Sequence, residues 1–403
     1  MKMNKNLHIP QGYRQTEVGV IPDDWKIKYI KNIAKITTGN KNTQDHKENG
    51  IYPFFVRSQT IKKINSYSFE GEAILTAGDG VGVGKVYHYV NEKFDYHQRV
   101  YNIHNFSNEI NGKYFFEFFR KYFYLRVLRM SAKNSVDSVR LDMIAQMKIP
   151  LPSKQEQQKI VDILTTWDNA INQQTTLIEK KQQLKKGLMQ QIFSQRVRFK
   201  DRNGNNFLDW QDEKLGDMCD IAKSGGTPKS TAKEYYDGNI PFLAISDMTK
   251  QGKYLTQTSK KISQLGIEHS ASWIVPLNTI IYSMYASVGF VSINKIPLAT
   301  SQAVINLILK NGYLVEFIYY HLVELKNLIH KFIETGAQGN LNAETVKSLI
   351  LNIPPIKEQQ KIAQILTLAD NEITKLQTEL ALLKTQKKGL MQQLLTGKIR
   401  TKT

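Results

Sequence analysis

The chain has 403 residues, 41% of them apolar, and its 55 Lys+Arg against 36 Asp+Glu leave a formal net charge of +19. That length suits two or three ordinary domains, and the cation excess makes a polyanion the first partner to consider, nucleic acid ahead of an anionic membrane surface. A single cysteine, Cys219, excludes an internal disulfide, no Cys/His cluster suggests a metal, and the start MKMNKNLHIPQGYRQ lacks the apolar run of a leader, so a cytoplasmic protein is expected.

Residues 1–152 read as the first globular domain. Strand signals such as EAILTAG and KVYHYV alternate with Gly and Asn turns, and an aromatic helix, NGKYFFEFFRKYFYLRVL, follows. Between the strands lies GDGVGVGK at 78–85, which tempts a phosphate-loop reading. A Walker A loop requires Gly where Asp79 stands and Ser or Thr where Val86 stands, and the residues after the glycines read as strand, not helix. A hairpin with closely approaching backbone is the expectation.

Residues 153–199 read as a long helix entered behind Pro152, with an apolar stripe at spacings of three and four: Ile160, Ile163, Leu164, Trp167, Ile171, Leu177, Ile178, Leu184, Leu188 and Ile192. Residues 200–355 form a second strand-rich domain, with IIYSMY and AVINLIL. Its uncharged stretch 270–294 contains Pro276, Asn278 and Gly289, so it reads as strands and not as a membrane span. Residues 356–403 form a second long helix behind Pro355, with the stripe running from Ile362, Leu366 and Ile373 to Leu390. The NIPP at 352–355 has Ile353 in the middle of what would otherwise resemble an adenine-methyltransferase loop, and reads as helix entry.

The two halves are copies. KKGLMQQ occurs at 185–191 and at 387–393, EQQKI at 156–160 and 358–362, both at an offset of 202 residues, and 156–191 shares 19 of 36 positions with 358–393. The helices therefore pair along apolar stripes as in a coiled coil. The globular parts are related far more loosely: HQRVYNI at 97–103 matches SQAVINL at 301–307, and Trp25 matches Trp210. The offset grows from 185 to 205 residues through the domain, so the second carries about twenty extra residues in its front half. Gly187 and Gly389 sit inside the helical pattern at a cost of about 1 kcal/mol each relative to Ala; fraying and a close helix crossing are both open.

No zinc motif, serine elbow or other catalytic constellation is present in the sequence. Polar and basic residues suited to phosphates and base edges remain. They are Arg57, Ser58, Gln59, Lys62, His97, Gln98 and Arg99 in the first domain, and Thr227, Lys229, Ser246, Asp247, Tyr285, Ser287 and Gln302 in the second. Gln98 and Gln302, the repeated pair, also suit a role in holding the fold.

With these residues in place, the chain resembles the specificity subunit of a type I restriction-modification enzyme. SGGTPKSTAKEYYDGNIPFLAISDM at 224–248 is similar to the start of that family's target recognition domain, and IPPIKEQQKIAQIL and KKGLMQQLLTGKIR to its repeated helices. The first domain departs, with TTGNKNTQDHKENGIYPFFVRSQ in place of the Gly-Gly-Thr-Pro opening. The resemblance implies an α/β (α+β) architecture in which two mixed α/β recognition domains are separated by two long antiparallel coiled-coil helices with pseudo-twofold repetition. It implies that each domain reads one half of an asymmetric bipartite double-stranded DNA site. The helices would set the spacer and dock two modification subunits through the faces around Ile160, Leu164, Trp167, Ile171, Leu188, Ile362, Leu366, Ile373 and Leu390. S-adenosylmethionine, ATP and Mg are then expected on partners, the modification subunits methylating adenine N6 and restriction subunits translocating and cutting; this chain itself would hold no cofactor. The competing reading is a coiled-coil scaffold joining two divergent protein-binding domains.

Overall fold

The computed structural model describes residues 9–130, 138–285, 287–334 and 341–401, and the side chains of these except 327–334. Residues 1–8, where the expected absence of a leader is read, lie outside that description. The chain divides into two compact units, Met1–Gln174 with Glu379–Thr403, and Thr175–Thr378. Each therefore holds one globular part and one portion of each long helix.

The first unit is built on a six-stranded sheet. Its centre is the antiparallel hairpin of Phe69–Ala77 and Tyr87–Tyr96, and the far end of Tyr87–Tyr96 pairs in parallel with Tyr52–Phe55. The strand Val100–His104 flanks the hairpin and carries Lys35–Thr38 on its other edge. Helix Gly112–Met130 covers one face with stacked rings of Phe115, Phe119 and Phe123, all fully buried. Each such ring contributes about 1.5–3 kcal/mol on burial. The glycine-rich segment forms the turn of the hairpin, as expected. A Cβ on Gly82 would lie 2.2 Å from the Arg57 carbonyl, and Gly84 has φ +66 with Tyr124 against it, so both positions require glycine.

The second unit repeats this plan with one strand broken. Ile280–Ser283 and Val304–Leu309 pair as Phe69–Ala77 and Val100–His104 do, and Ile240–Leu243 stands where Tyr52–Phe55 stands. The single long strand Tyr87–Tyr96 is replaced by two short ones, Val291–Asn294 and Leu298–Thr300, which enter separate sheets. The extra front-half residues include the helices Ile245–Gln251 and Gln264–Glu268. The uncharged stretch forms the strands Ile274–Val275, Ile280–Ser283 and Val291–Asn294, and among the described residues no helix is long and apolar enough to cross a membrane.

The long helices span Lys154–Phe193 and Ile356–Leu394; the 40 residues of the first rise over about 60 Å. Within each unit their segments run antiparallel. In the first, Asp168 meets Lys387 and Gln174 meets Glu379; in the second, Lys181 meets Glu372 and Lys185 meets Asp370. Ile160 and Leu164 are buried with Leu394 and Leu395, while Trp167, Ile171 and Leu390 are half-buried. Ile362, Leu366 and Ile373 are buried in the second unit, where Leu188 is half-buried. The stripe is shorter than the sequence pattern suggests: Leu177 and Leu184 are 39% and 68% exposed. A 3.6-residue helix drifts about 20° per heptad against a 3.5 repeat, so one apolar row cannot keep facing one neighbour over its whole length. A Cβ on Gly187 or Gly389 would meet nothing within 4 Å, so no close crossing accounts for either.

Candidate nucleic-acid interface

In both units the globular part is fastened to the helices by the same side chains. The Trp25 indole N–H donates to Glu156 at 3.1 Å, and Arg400 donates to that carboxylate at 2.8 and 3.0 Å and to Asp24 at 2.9 and 2.8 Å. In the second unit Trp210 donates to Glu358 at 3.1 Å, and Arg198 donates to Glu358 at 2.9 Å and to Asp209 at 3.2 Å. Glu156 and Glu358 are at most 1% exposed; buried carboxylates persist when paired with charge-assisted donors. Gln157 accepts from the Asn111 N–H and donates to two carbonyls, and Gln359 does the same with Leu314. The repeated EQQ thus locks each domain onto a helix start, and the first lysine of each KKGLMQQ pairs with the aspartate of the opposite helix.

The loops at the strand ends form the rim. Registers give the equivalences: Tyr52↔Ile64 and Pro53↔Lys63 in one unit match Ile240↔Ile262 and Pro241↔Lys261 in the other. Arg57 therefore occupies the place of Ile245, and Arg99 that of Ala303. Likewise Ala77↔Val100 matches Ser283↔Val304, which puts Asp79 where Tyr285 stands. Gln98 matches Gln302, and each binds the first loop of its domain: Gln98 donates to Asn42 at 2.6 Å, and Gln302 accepts from the Thr227 hydroxyl at 2.7 Å. Those loops begin at Gly39 and Gly225, where a Cβ would lie within 2 Å of the carbonyl oxygens of Tyr96 and Thr300. The departing opening of the first domain thus keeps a glycine where the packing demands one.

Of the residues nominated from sequence, Arg57, Ser58, Gln59, Gln98 and Arg99 are exposed on the first rim, and Thr227, Lys229, Ser246, Tyr285, Ser287 and Gln302 are exposed in the second unit. Lys62 is half-buried within the strand Lys62–Ile64. Two have internal work. His97 is 4% exposed and its Nδ1 accepts from the Arg99 N–H at 2.9 Å; burial, then the Arg57 charge, lowers its pKa. Asp247 is 4% exposed and caps its helix by accepting from the Ala244 and Ser259 N–H groups at 3.0 and 3.2 Å. Sequence reasoning missed Asp79, which accepts from Arg57 at 2.8 Å and stands 3.7 Å from Arg99. Its signal was an acidic residue inside an otherwise unusable glycine run. Among the described residues no group of three His, Cys, Asp or Glu could hold a metal.

Comparison with known proteins bears on this arrangement. The type I restriction enzyme MjaVIII specificity subunit of Methanocaldococcus jannaschii is 26% identical over 410 residues, covering 95% of this chain and 94% of its own. The MjaIX specificity subunit of that organism is 32% identical over 169 residues, 41% of this chain and 39% of its own. The crystal structure of the type I restriction-modification S subunit from M. genitalium has the same fold, with a TM-score of 0.59 at 18% identity over 92% of this chain and 96% of that one. The type I restriction modification DNA specificity domain matches twice, at residues 22–185 and 208–384, and the chain accordingly belongs to the type I restriction-modification DNA specificity family.

Proposed function

We propose that this chain binds duplex DNA with each unit reading one half of a bipartite, asymmetric site, and that it brings two modification subunits to that site for adenine N6 methylation. As a specificity subunit it recognises, while methyl transfer, translocation and cutting belong to partners carrying S-adenosylmethionine, ATP and Mg. The observation that carries this reading is the contrast inside one chain. Joint residues recur in kind, Trp25 with Trp210, Glu156 with Glu358 and Arg400 with Arg198, whereas the rims, in matching register, carry Arg57, Asp79 and Arg99 on one unit and Ile245, Tyr285 and Ala303 on the other. Different rim chemistry on one framework suits different half-sites.

The nominated rim residues are proposed to reach bases and phosphates, and the helices to set the spacer. Exposed leucines on the helix faces, Leu184 at 68% and Leu368 at 60% in the second unit and Leu382 at 57% in the first, suit docking of the modification subunits. Replacing residues 210–352 by another family member's second domain is expected to change one half of the methylated motif, read by modified-base sequencing of cells carrying the chimera. A change in both halves, or in neither, overturns the assignment of one unit to one half. The scaffold reading predicts no duplex binding with the steep loss on added salt that phosphate contacts impose.

A further inference from the structure

The first rim carries a pair of cations held on one carboxylate, and among the described residues the equivalent positions of the second rim hold no such cluster. Arg57 follows the strand Tyr52–Phe55, Asp79 opens the hairpin turn after Phe69–Ala77, and Arg99 immediately precedes Val100–His104. Backbone contacts fix all three loops together. The Gly78 N–H donates to the Arg99 carbonyl at 2.7 Å, and the His97 N–H to the Phe55 carbonyl at 2.9 Å. The Gly82 Cα lies so close to the Arg57 carbonyl that a Cβ there would be 2.2 Å from it. Asp79 then accepts from Arg57 Nη1 at 2.8 Å through one oxygen and faces Arg99 Nε at 3.7 Å through the other.

The arginine side chains nevertheless remain 44% and 66% exposed. A guanidinium offers five donors in a planar fork, and the carboxylate engages only one edge of each. An aspartate at the foot of two arginines is the wrong sign for a phosphate, so the cluster is poorly suited to tracking the DNA backbone. It is well suited to presenting a fork in a fixed plane, the requirement for bidentate donation to guanine O6 and N7 in the major groove. The rigidity matters because an arginine already oriented loses less side-chain freedom on binding.

We propose that Arg57 and Arg99, aligned by Asp79 as a positioning residue, read guanine in the half-site of the first unit. This inference rests on the reading of the chain as a DNA-specificity subunit and adds the base class. The equivalent positions of the second unit, Ile245, Tyr285 and Ala303, carry no charge, so its half-site is read without an arginine fork at that place.

The test is selection of duplexes from a randomised pool by the full chain and by its Arg57→Gln, Arg99→Gln, Arg99→Lys and Asp79→Asn variants. The expected result is a bipartite motif in which Arg57→Gln or Arg99→Gln erases the preference for one guanine by about 5–150-fold while the other half is unchanged. Arg99→Lys should keep overall affinity but not the preference, because an ammonium has no fork. Asp79→Asn should weaken the same guanine preference at an unchanged unfolding midpoint. Equal loss on all sequences, with a salt slope shallower by about one, would make the arginines phosphate contacts and overturn the proposal. An unaltered motif overturns it as well. Failure of the unmodified chain to enrich any sequence would instead count against the DNA-specificity reading itself.

Discussion

The joints of the two units and their rims have diverged to very different degrees. At the joints, Trp25, Glu156 and Arg400 make the contacts that Trp210, Glu358 and Arg198 make, down to an indole–carboxylate distance of 3.1 Å in each. At the rims a matching sheet register carries unlike side chains. A joint buries charge and tolerates little, because each partner left alone is costly; a rim exposed to solvent can change residue type at almost no cost in stability. The framework can therefore be kept while recognition is rewritten.

The most severe way to break this comparison is to remove a joint carboxylate. Glu358→Ala leaves the Trp210 N–H unpaired and Arg198 with only its partly exposed contact with Asp209 and two backbone carbonyls, and Glu156→Ala leaves the Trp25 N–H unpaired and Arg400 with only its contact with Asp24. Each is expected to cost about 2–4 kcal/mol in chemical unfolding, below the roughly 3–5 of a fully buried pair, because both arginines keep access to water. If one substitution proved silent, the joints would not be equivalent.

A smaller effect should separate the units by pH. His321 in the second unit is buried, stacked 4.6 Å from Phe193, and burial holds its pKa down at about 3. Between pH 6.5 and about 3 the unfolded chain binds a proton there that the folded one refuses, so stability is full above pH 6.5 and is lost as pH falls. His321→Leu should match the parent at neutral pH and exceed it by about 2 kcal/mol at pH 5. His88 and His97, lowered in the same direction in the first unit, are common to both proteins and cancel in that difference.

The smallest effect concerns Gly187 and Gly389. With nothing within 4 Å of a Cβ at either place, alanine should stabilise the isolated chain by about 1 kcal/mol. A thermal shift upward accompanied by weaker association with modification subunits would mean that a partner occupies that space. An upward shift with unchanged association would leave the glycines with no role in docking.

Much of this was legible in the residues themselves. The repeat interval announced both joints, and prolines at 152 and 355 announced both helix starts, because helix entry is a local event. Which partner each group takes was not legible: Arg198 lies five residues beyond the end of one long helix, Phe193, yet serves Glu358 at the start of the other, a pairing set by antiparallel packing and invisible to local spacing. At the rims, residue type nominated Arg57, Gln98 and Arg99, but could not distinguish the exposed from the buried. Thus His97 and Asp247 turned out to satisfy backbone N–H groups. Asp79 was overlooked because its partners lie 22 and 20 positions away in sequence and are joined only by sheet register.

The discontinuity of the first unit also orders events in time. Thr175–Thr378 is one uninterrupted stretch, whereas the first unit must wait for Glu379–Thr403 to complete it. Translation at roughly 5–20 residues per second puts that delay on the order of 10–40 s. Throughout it, Ile160 and Leu164 lack Leu394 and Leu395, and Glu156 lacks Arg400. A nascent chain held at that stage presents an apolar helix face beside a carboxylate that has the Trp25 N–H but not its arginine.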